Sequence, residues 1–246
     1  MSMKKTHLLV LGVLTTSLLA MSEDNGEKPE PPKPTSHSVR HIEGWTVRVD
    51  DRLLAAPHEE LGKRALRLLE SKFMDIEGAV VEDRLEKLKA VTIVLDLSHG
   101  KLRAMQYHPS AGWLKKNGYS TGLAKCVHIP RAEGFVSPQL NTKQPWVVLH
   151  ELAHAYHDQV LGFEDSEIKA AWQRFVDSGR YESVLHISGR MSKHYAMTDQ
   201  KEFFAEMSES FFGMNDFFPF NRAELQCEEP PLYELLCKIW GRVPPT

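Results

Sequence analysis

His150-Glu151-Leu152-Ala153-His154 lies inside an apolar run, residues 146–156 (WVVLHELAHAY). Pro145 precedes the run, and Gly162, just past Leu161, suits a helix C-cap, so the stretch is predicted to be a helix. On a helix, positions i and i+4 share one face. His150 and His154 can therefore turn toward one cation, with Glu151 beside them to handle the proton of a water. Metal-dependent hydrolysis needs this arrangement, and a catalytic zinc site keeps three protein ligands and one open position.

Two imidazoles leave one ligand to find. One long-spaced group of zinc peptidases places a further His six residues after the second His, with Gly at plus three. Here those positions are Val160 and His157, so that pattern fails. The third ligand is then expected to be a carboxylate from a later helix. Glu202 is the best candidate, in the otherwise apolar segment Lys201-Glu202-Phe203-Phe204-Ala205-Glu206. Enough chain separates it from His154 for an intervening helix at 168–176. Glu206 lies one turn further on the same face. It is expected to bond the outer ring nitrogen of a ligating His, as such ligands require; the two roles can also be exchanged.

The pairing of His-Glu-Leu-Ala-His with a downstream Glu-Phe-Phe-Ala-Glu resembles the catalytic domain of lethal-factor-type zinc peptidases, which are gluzincins. The resemblance covers roughly residues 146–212. It implies a zincin-like fold, Zn2+ as cofactor, Glu202 as third ligand and Glu206 in support. The Tyr that helps to stabilise the oxyanion in that family falls on Tyr195, seven residues before Glu202. The catalytic pair implied is Glu151 and Tyr195, and the metal ligands are His150, His154 and Glu202.

The rest of the chain reads as α+β: a small mixed sheet packed on the motif helix, then a mostly helical C-terminal half. Residues 45–49 alternate as a β-branched strand. Pro57 opens an amphipathic helix with Leu61, Ala65, Leu68, Leu69 and Phe73 on its apolar stripe. Residues 82–89 form a shorter helix, and residues 90–97 a buried strand. Residues 98–122 read as irregular, with a short helix around Trp113. Lys125-Cys126-Val127-His128-Ile129 is a short strand ending at Pro130, and is expected to be the sheet edge that receives a substrate strand. Further helices follow from Ser166 as N-cap, from Thr198 or Asp199 as N-cap, the latter with Glu202 at the capping-box position, and from Pro230-Pro231 to Trp240.

Among the other histidines, His157 is expected on the surface or behind the metal site. His194 is expected on a loop surface, with an oxyanion donor as its alternative role. His99, His108, His128 and His186 show no spacing relation and read as structural.

Lys4 and Lys5 followed by an apolar stretch from Leu8 to Leu19 predict a signal peptide over residues 1–21. Residues 22–38 are Pro-rich and charged, and read as a disordered linker. Residues 39–246 make the metallopeptidase-like domain. A secreted or periplasmic protein is implied, with no integral membrane span after signal removal. A net charge of −3 gives no reason to expect nucleic acid. The expected partner is a peptide or protein substrate.

Three cysteines, Cys126, Cys227 and Cys237, are present. They admit either a Cys227–Cys237 disulfide or free thiols, but no C-x-x-C zinc site. The reading is an exported zinc endopeptidase. The alternatives are a secreted zinc-binding relative without turnover, or a metal-dependent amidase acting on cell-wall links.

Overall fold

The computed structural model describes residues 30–242. The expected signal peptide, and most of the expected linker, lie outside the described residues. From Pro31 onward the chain forms a single unit. Its elements are, in order, β1 (His37–Ile42), β2 (Trp45–Asp50), α1 (Glu59–Ala79), α2 (Glu82–Lys89), β3 (Ile93–Leu95), β4 (Gln106–Tyr107), α3 (Ala111–Lys116), β5 (Val127–Ile129), α4 (Ala132–Phe135), α5 (Pro138–Lys143), α6 (Val147–Tyr156), α7 (Ser166–Asp177), β6 (Val184–Leu185), β7 (Met191–Ser192), α8 (Gln200–Phe212), α9 (Arg222–Glu228) and α10 (Pro230–Trp240). The class is α+β, as the element order predicts.

Five strands form one mixed sheet in the order β1-β2-β3-β5-β4. The inner strands β2, β3 and β5 run parallel; β1 and β4 flank them antiparallel. Side chains alternate across a pleated strand. One face of the sheet therefore presents Val47, Val49, Ile93, Leu95, Val127 and Ile129 to the main core. The other face presents Val94, which packs with Leu114, Leu123 and Cys126 in a smaller cluster.

Helix α1 buries Gly62, Ala65, Leu69, Phe73 and Ile76; of the expected stripe Ala65, Leu69 and Phe73 are at its centre, while Leu61 and Leu68 are half-buried beside it. Trp45 stacks on Phe73 with ring centroids 4.3 Å apart, and its indole N–H donates to Leu88 O. This satisfies the one polar atom of a fully buried Trp.

The two helices that matter most are enclosed on nearly all sides. In α6 every residue but His154 is buried. In α8 the ten residues from Phe203 to Phe212 are all buried, Glu206, Ser208, Glu209 and Ser210 among them. Tyr156, Phe204 and Phe212 close on Trp240 of α10, whose indole N–H donates to Ser208 Oγ at 3.0 Å. Helix α10 thereby packs against both α6 and α8.

Several expectations are corrected. β5 is an inner strand, bonded to β3 on one side and β4 on the other. The edge strand at that end of the sheet is β4, which falls in the segment read as irregular and is too short for periodicity to reveal. The linker boundary at residue 38 falls inside β1. Residues before it are also tied down: Lys33 Nζ donates to Gly118 O, and Ser98 Oγ donates to Pro32 O. Helix α1 begins at Glu59 rather than at Pro57, and α7 is capped by Asp165, whose carboxylate accepts from Glu167 and Ile168 N–H. Of the two thiol states that the sequence admitted, the free one is found: Cys126, Cys227 and Cys237 form no disulfide.

Gly213, after the last residue of α8, marks where the two central helices touch. A β-carbon there would lie 1.9 Å from Cε2 of Trp146, the residue before α6. Gly213→Ala is expected to lower stability by about 1–3 kcal/mol, the usual cost of overpacking. A urea melt should show an earlier midpoint at unchanged slope; a wild-type midpoint would mean that the helices part there without cost.

Candidate metal centre

Helix α6 sets the first two groups by its own period. The rings of His150 and His154 meet edge-on, centroids 4.8 Å apart, and their Nε2 atoms stand 3.2 Å from one another. The third group comes from the first turn of α8. Asp199 caps that helix, its carboxylate accepting from the N–H groups of Lys201 and Glu202. Glu202 does not close the capping box. Its side chain turns to α6 instead, with Oε2 3.2 Å from His150 Nε2 and 3.4 Å from His154 Nε2.

These three separations test the expected cation. Ligand atoms about 2.0–2.1 Å from a tetrahedral zinc lie about 3.3 Å from each other. The observed 3.2, 3.2 and 3.4 Å match that triangle. Two imidazoles and a carboxylate are also a donor set that zinc accepts. His150, His154 and Glu202, expected together from the sequence, are thus brought together.

The charge around them points the same way. Glu151, Glu206 and Glu209 are all buried beside the two imidazoles. Among the described residues, Glu206 Oε2, Glu209 Oε2 and Asp216 Oδ1 are buried without a hydrogen-bond partner. Burial and the neighbouring Glu209 carboxylate push Glu206 well above the usual carboxylate range, and burial raises Asp216 to about 6. Burial opposes a charge on His150, yet Glu202 and Glu209 outweigh it and raise that imidazole well above its ordinary value. Burial would also raise Glu202, but the two histidines overcome it and hold the carboxyl well below the usual range. A buried surplus of acid is costly unless a cation offsets it.

The outer nitrogen of His150 corrects one expectation. Its Nδ1 meets Glu209 Oε1 at 2.6 Å, while Glu206 Oε1 stands off at 3.8 Å. Glu209, not Glu206, bonds the outer nitrogen of His150. The signal was present in the sequence: Glu202, Glu206 and Glu209 fall at i, i+4 and i+7, one face of an otherwise apolar helix.

Glu151 borders the same space. Its Oε2 accepts the backbone N–H of Tyr107 at 2.7 Å, and burial raises its carboxyl pKa. Because β4 hydrogen-bonds to β5 on one side, this N–H lies on its open side. Tyr195 sits in a single 3-10 turn before α8 and is 48% exposed. It lines, with His150, Glu151, His154 and Glu202, one cleft of about 630 Å³.

His194 and His157 lie elsewhere than expected. His194 is buried rather than on a loop surface, and its Nδ1 accepts the N–H of Ala196, starting the turn that carries Tyr195. His157 is fully buried against Phe163 and Phe204, with neither ring nitrogen hydrogen-bonded.

No family model, curated protein or solved structure matches the chain.

Two expectations follow. Glu209→Gln should weaken zinc affinity by about 10–100-fold, the usual effect of losing a ligand's outer partner. Chelator competition reads this directly; unchanged affinity would remove Glu209 from the site. Burial lowers the His194 pKa from 6.5 to about 3. Its folded value lies below its unfolded one, so this stability is present above pH 6.5 and is lost as pH falls toward 3. His194→Asn should flatten the pH–stability profile in that window, by at most about 1.4 kcal/mol per pH unit. Parallel wild-type and variant profiles would contradict it.

Proposed function

We propose that this protein is an exported, zinc-dependent endopeptidase with a zincin-like catalytic arrangement. The observation that carries the proposal is the convergence of His150 Nε2, His154 Nε2 and Glu202 Oε2 at 3.2–3.4 Å on the wall of an open cleft. Glu151 beside them adds a carboxylate with a raised pKa, which suits it to carrying a proton near neutral pH.

A peptide is the substrate that the cleft's border favours. β4 is the last strand of its sheet, and Gln106 and Tyr107 line the cleft next to Glu151. An open strand edge pairs readily with an extended chain, and hydrogen bonds along the backbone make such pairing independent of side-chain identity. Among the described residues no helix is long and apolar enough to cross a membrane.

When bound at His150, His154 and Glu202, zinc supplies Lewis-acid chemistry, lowering the pKa of a water and polarising a carbonyl. The chain's own residues do the rest. Glu151 is held by the Tyr107 N–H through Oε2. Its carboxylate takes the proton of the attacking water and returns it to the departing amine. The Tyr195 phenol, which lines the same cleft, donates to the oxygen on which negative charge develops. Burial and the nearby Glu202 carboxylate raise the Tyr195 pKa, so the phenol keeps the proton that it donates.

Glu151→Gln should retain zinc but lose about 10²–10⁴-fold in peptide cleavage, the typical loss for a general base. A peptide-library digest with parallel metal analysis tests it, and wild-type turnover by this variant would refute the role. Tyr195→Phe should lower kcat by about 10²–10³-fold with little change in KM, as for the loss of one oxyanion donor. A change confined to KM would make Tyr195 a binding residue instead.

A further inference from the structure

On the sheet face opposite α6 lies a second knot of metal-ligating groups. It starts from Asp96, just beyond β3. Asp96 shares the parity of Val94, so its side chain turns away from the main core. Its backbone is fixed on both sides: the N–H donates to Ile129 O at 2.9 Å, and the carbonyl accepts from Ala132 N–H at 2.8 Å. The Asp96 side chain is fully buried, yet three imidazoles reach it. His99 Nδ1 lies 2.6 Å and His128 Nε2 2.8 Å from Oδ2, and His37 Nε2 lies 2.7 Å from Oδ1. They come from the turn after β3, from β5 and from β1.

The donor atoms of Asp96, His99 and His128 all lie within 4.8 Å of one another, and all three residues are buried. A ligating imidazole needs a partner for its other nitrogen. His128 has one, since its Nδ1 meets His108 Nε2 at 3.1 Å. His37 is 21% exposed and marks a way in from solvent. None of these residues lines the cleft of the first site.

We propose that Asp96, His99 and His128 form a second divalent-cation site of zinc type, with His37 the nearest further donor. Its donors are imidazole nitrogen and carboxylate oxygen, the set that suits zinc rather than calcium or magnesium. A tetrahedral ion needs donors about 3.3 Å apart, so the Asp96 contacts must open by about 0.5–0.7 Å as ring protons give way to metal. Rotation of half-buried His37 and of His99, which sits in a turn, opens their own contacts with Asp96. A cation here joins β1, β3 and β5 and holds β4 in place through His108, the neighbour of Tyr107. The site's role is therefore structural, set apart from the open centre that carries the chemistry.

The test counts metal. Full-length protein is stripped with chelator, titrated with zinc, desalted and analysed. Wild type should bind two equivalents, and His150→Ala/His154→Ala should bind one. Adding His99→Asn to that double variant should remove the remaining equivalent. Zinc should also raise the Tm of the double variant. The X-ray absorption spectrum of its zinc should show imidazole scattering, a readout that does not depend on the third variant folding. A folded double variant that binds no zinc overturns the proposal. So does retention of the equivalent after His99→Asn, or a spectrum without histidine. If the first site held no metal, wild type and the double variant would bind one equivalent alike. The peptidase reading would then fail while the second site stood.

Discussion

The contact between α6 and α8 governs the rest of the molecule. Each helix is almost wholly buried, and each carries ionisable groups into that interior. His150, Glu151, Glu202, Glu206 and Glu209 would be costly there one at a time. They persist because they face one another: Glu209 holds His150 from behind, and Glu202 meets both imidazoles in front. Trp240, Phe204 and Phe212 surround this polar seam with apolar contacts. The aromatic packing fixes the helix spacing, and the spacing fixes the donor triangle.

The remaining acid surplus has a physical reading. Burial first, and for Glu206 the Glu209 carboxylate as well, pushes Glu206 and Asp216 toward their neutral forms. A cation between His150, His154 and Glu202 would relieve both the repulsion and the desolvation. Folding energy thus creates a local demand for positive charge at the point where the donors converge. The second cluster is balanced differently. There one carboxylate faces three imidazoles, and the Asp96 pKa falls well below the usual range: burial opposes this, and the His128, His37 and His99 bonds prevail.

The two clusters meet at β4. Tyr107 gives its backbone N–H to Glu151, while His108, one residue on, bonds to His128. Alternation along a strand sends these neighbours to opposite sides. A two-residue strand therefore links the carboxylate of the cleft to the imidazole knot behind the sheet. Any substrate strand laid along β4 would rest on this brace.

Much of the first site was legible in the sequence, because it follows from local periodicity. A helix repeat places His150 and His154 on one face whatever surrounds it. A cap at Thr198 or Asp199 placed Glu202 in a first turn, its position in an otherwise apolar helix made it the best third candidate, and the family resemblance implied the same residue. The i+7 spacing of Glu209 was equally local, though it became meaningful only once His150 Nδ1 was seen to face it. The edge strand and the Asp96 cluster were of another kind. Asp96 and His99 are three residues apart after β3, but His37, His108 and His128 share no repeat with them and lie on different strands or their ends. Only the order in which strands pair brings them together, and that order depends on which hydrophobic faces pack. What the chain alone determined was which groups share a helix face; which distant groups share a point in space was decided by the tertiary structure, because long-range pairing leaves no period to read.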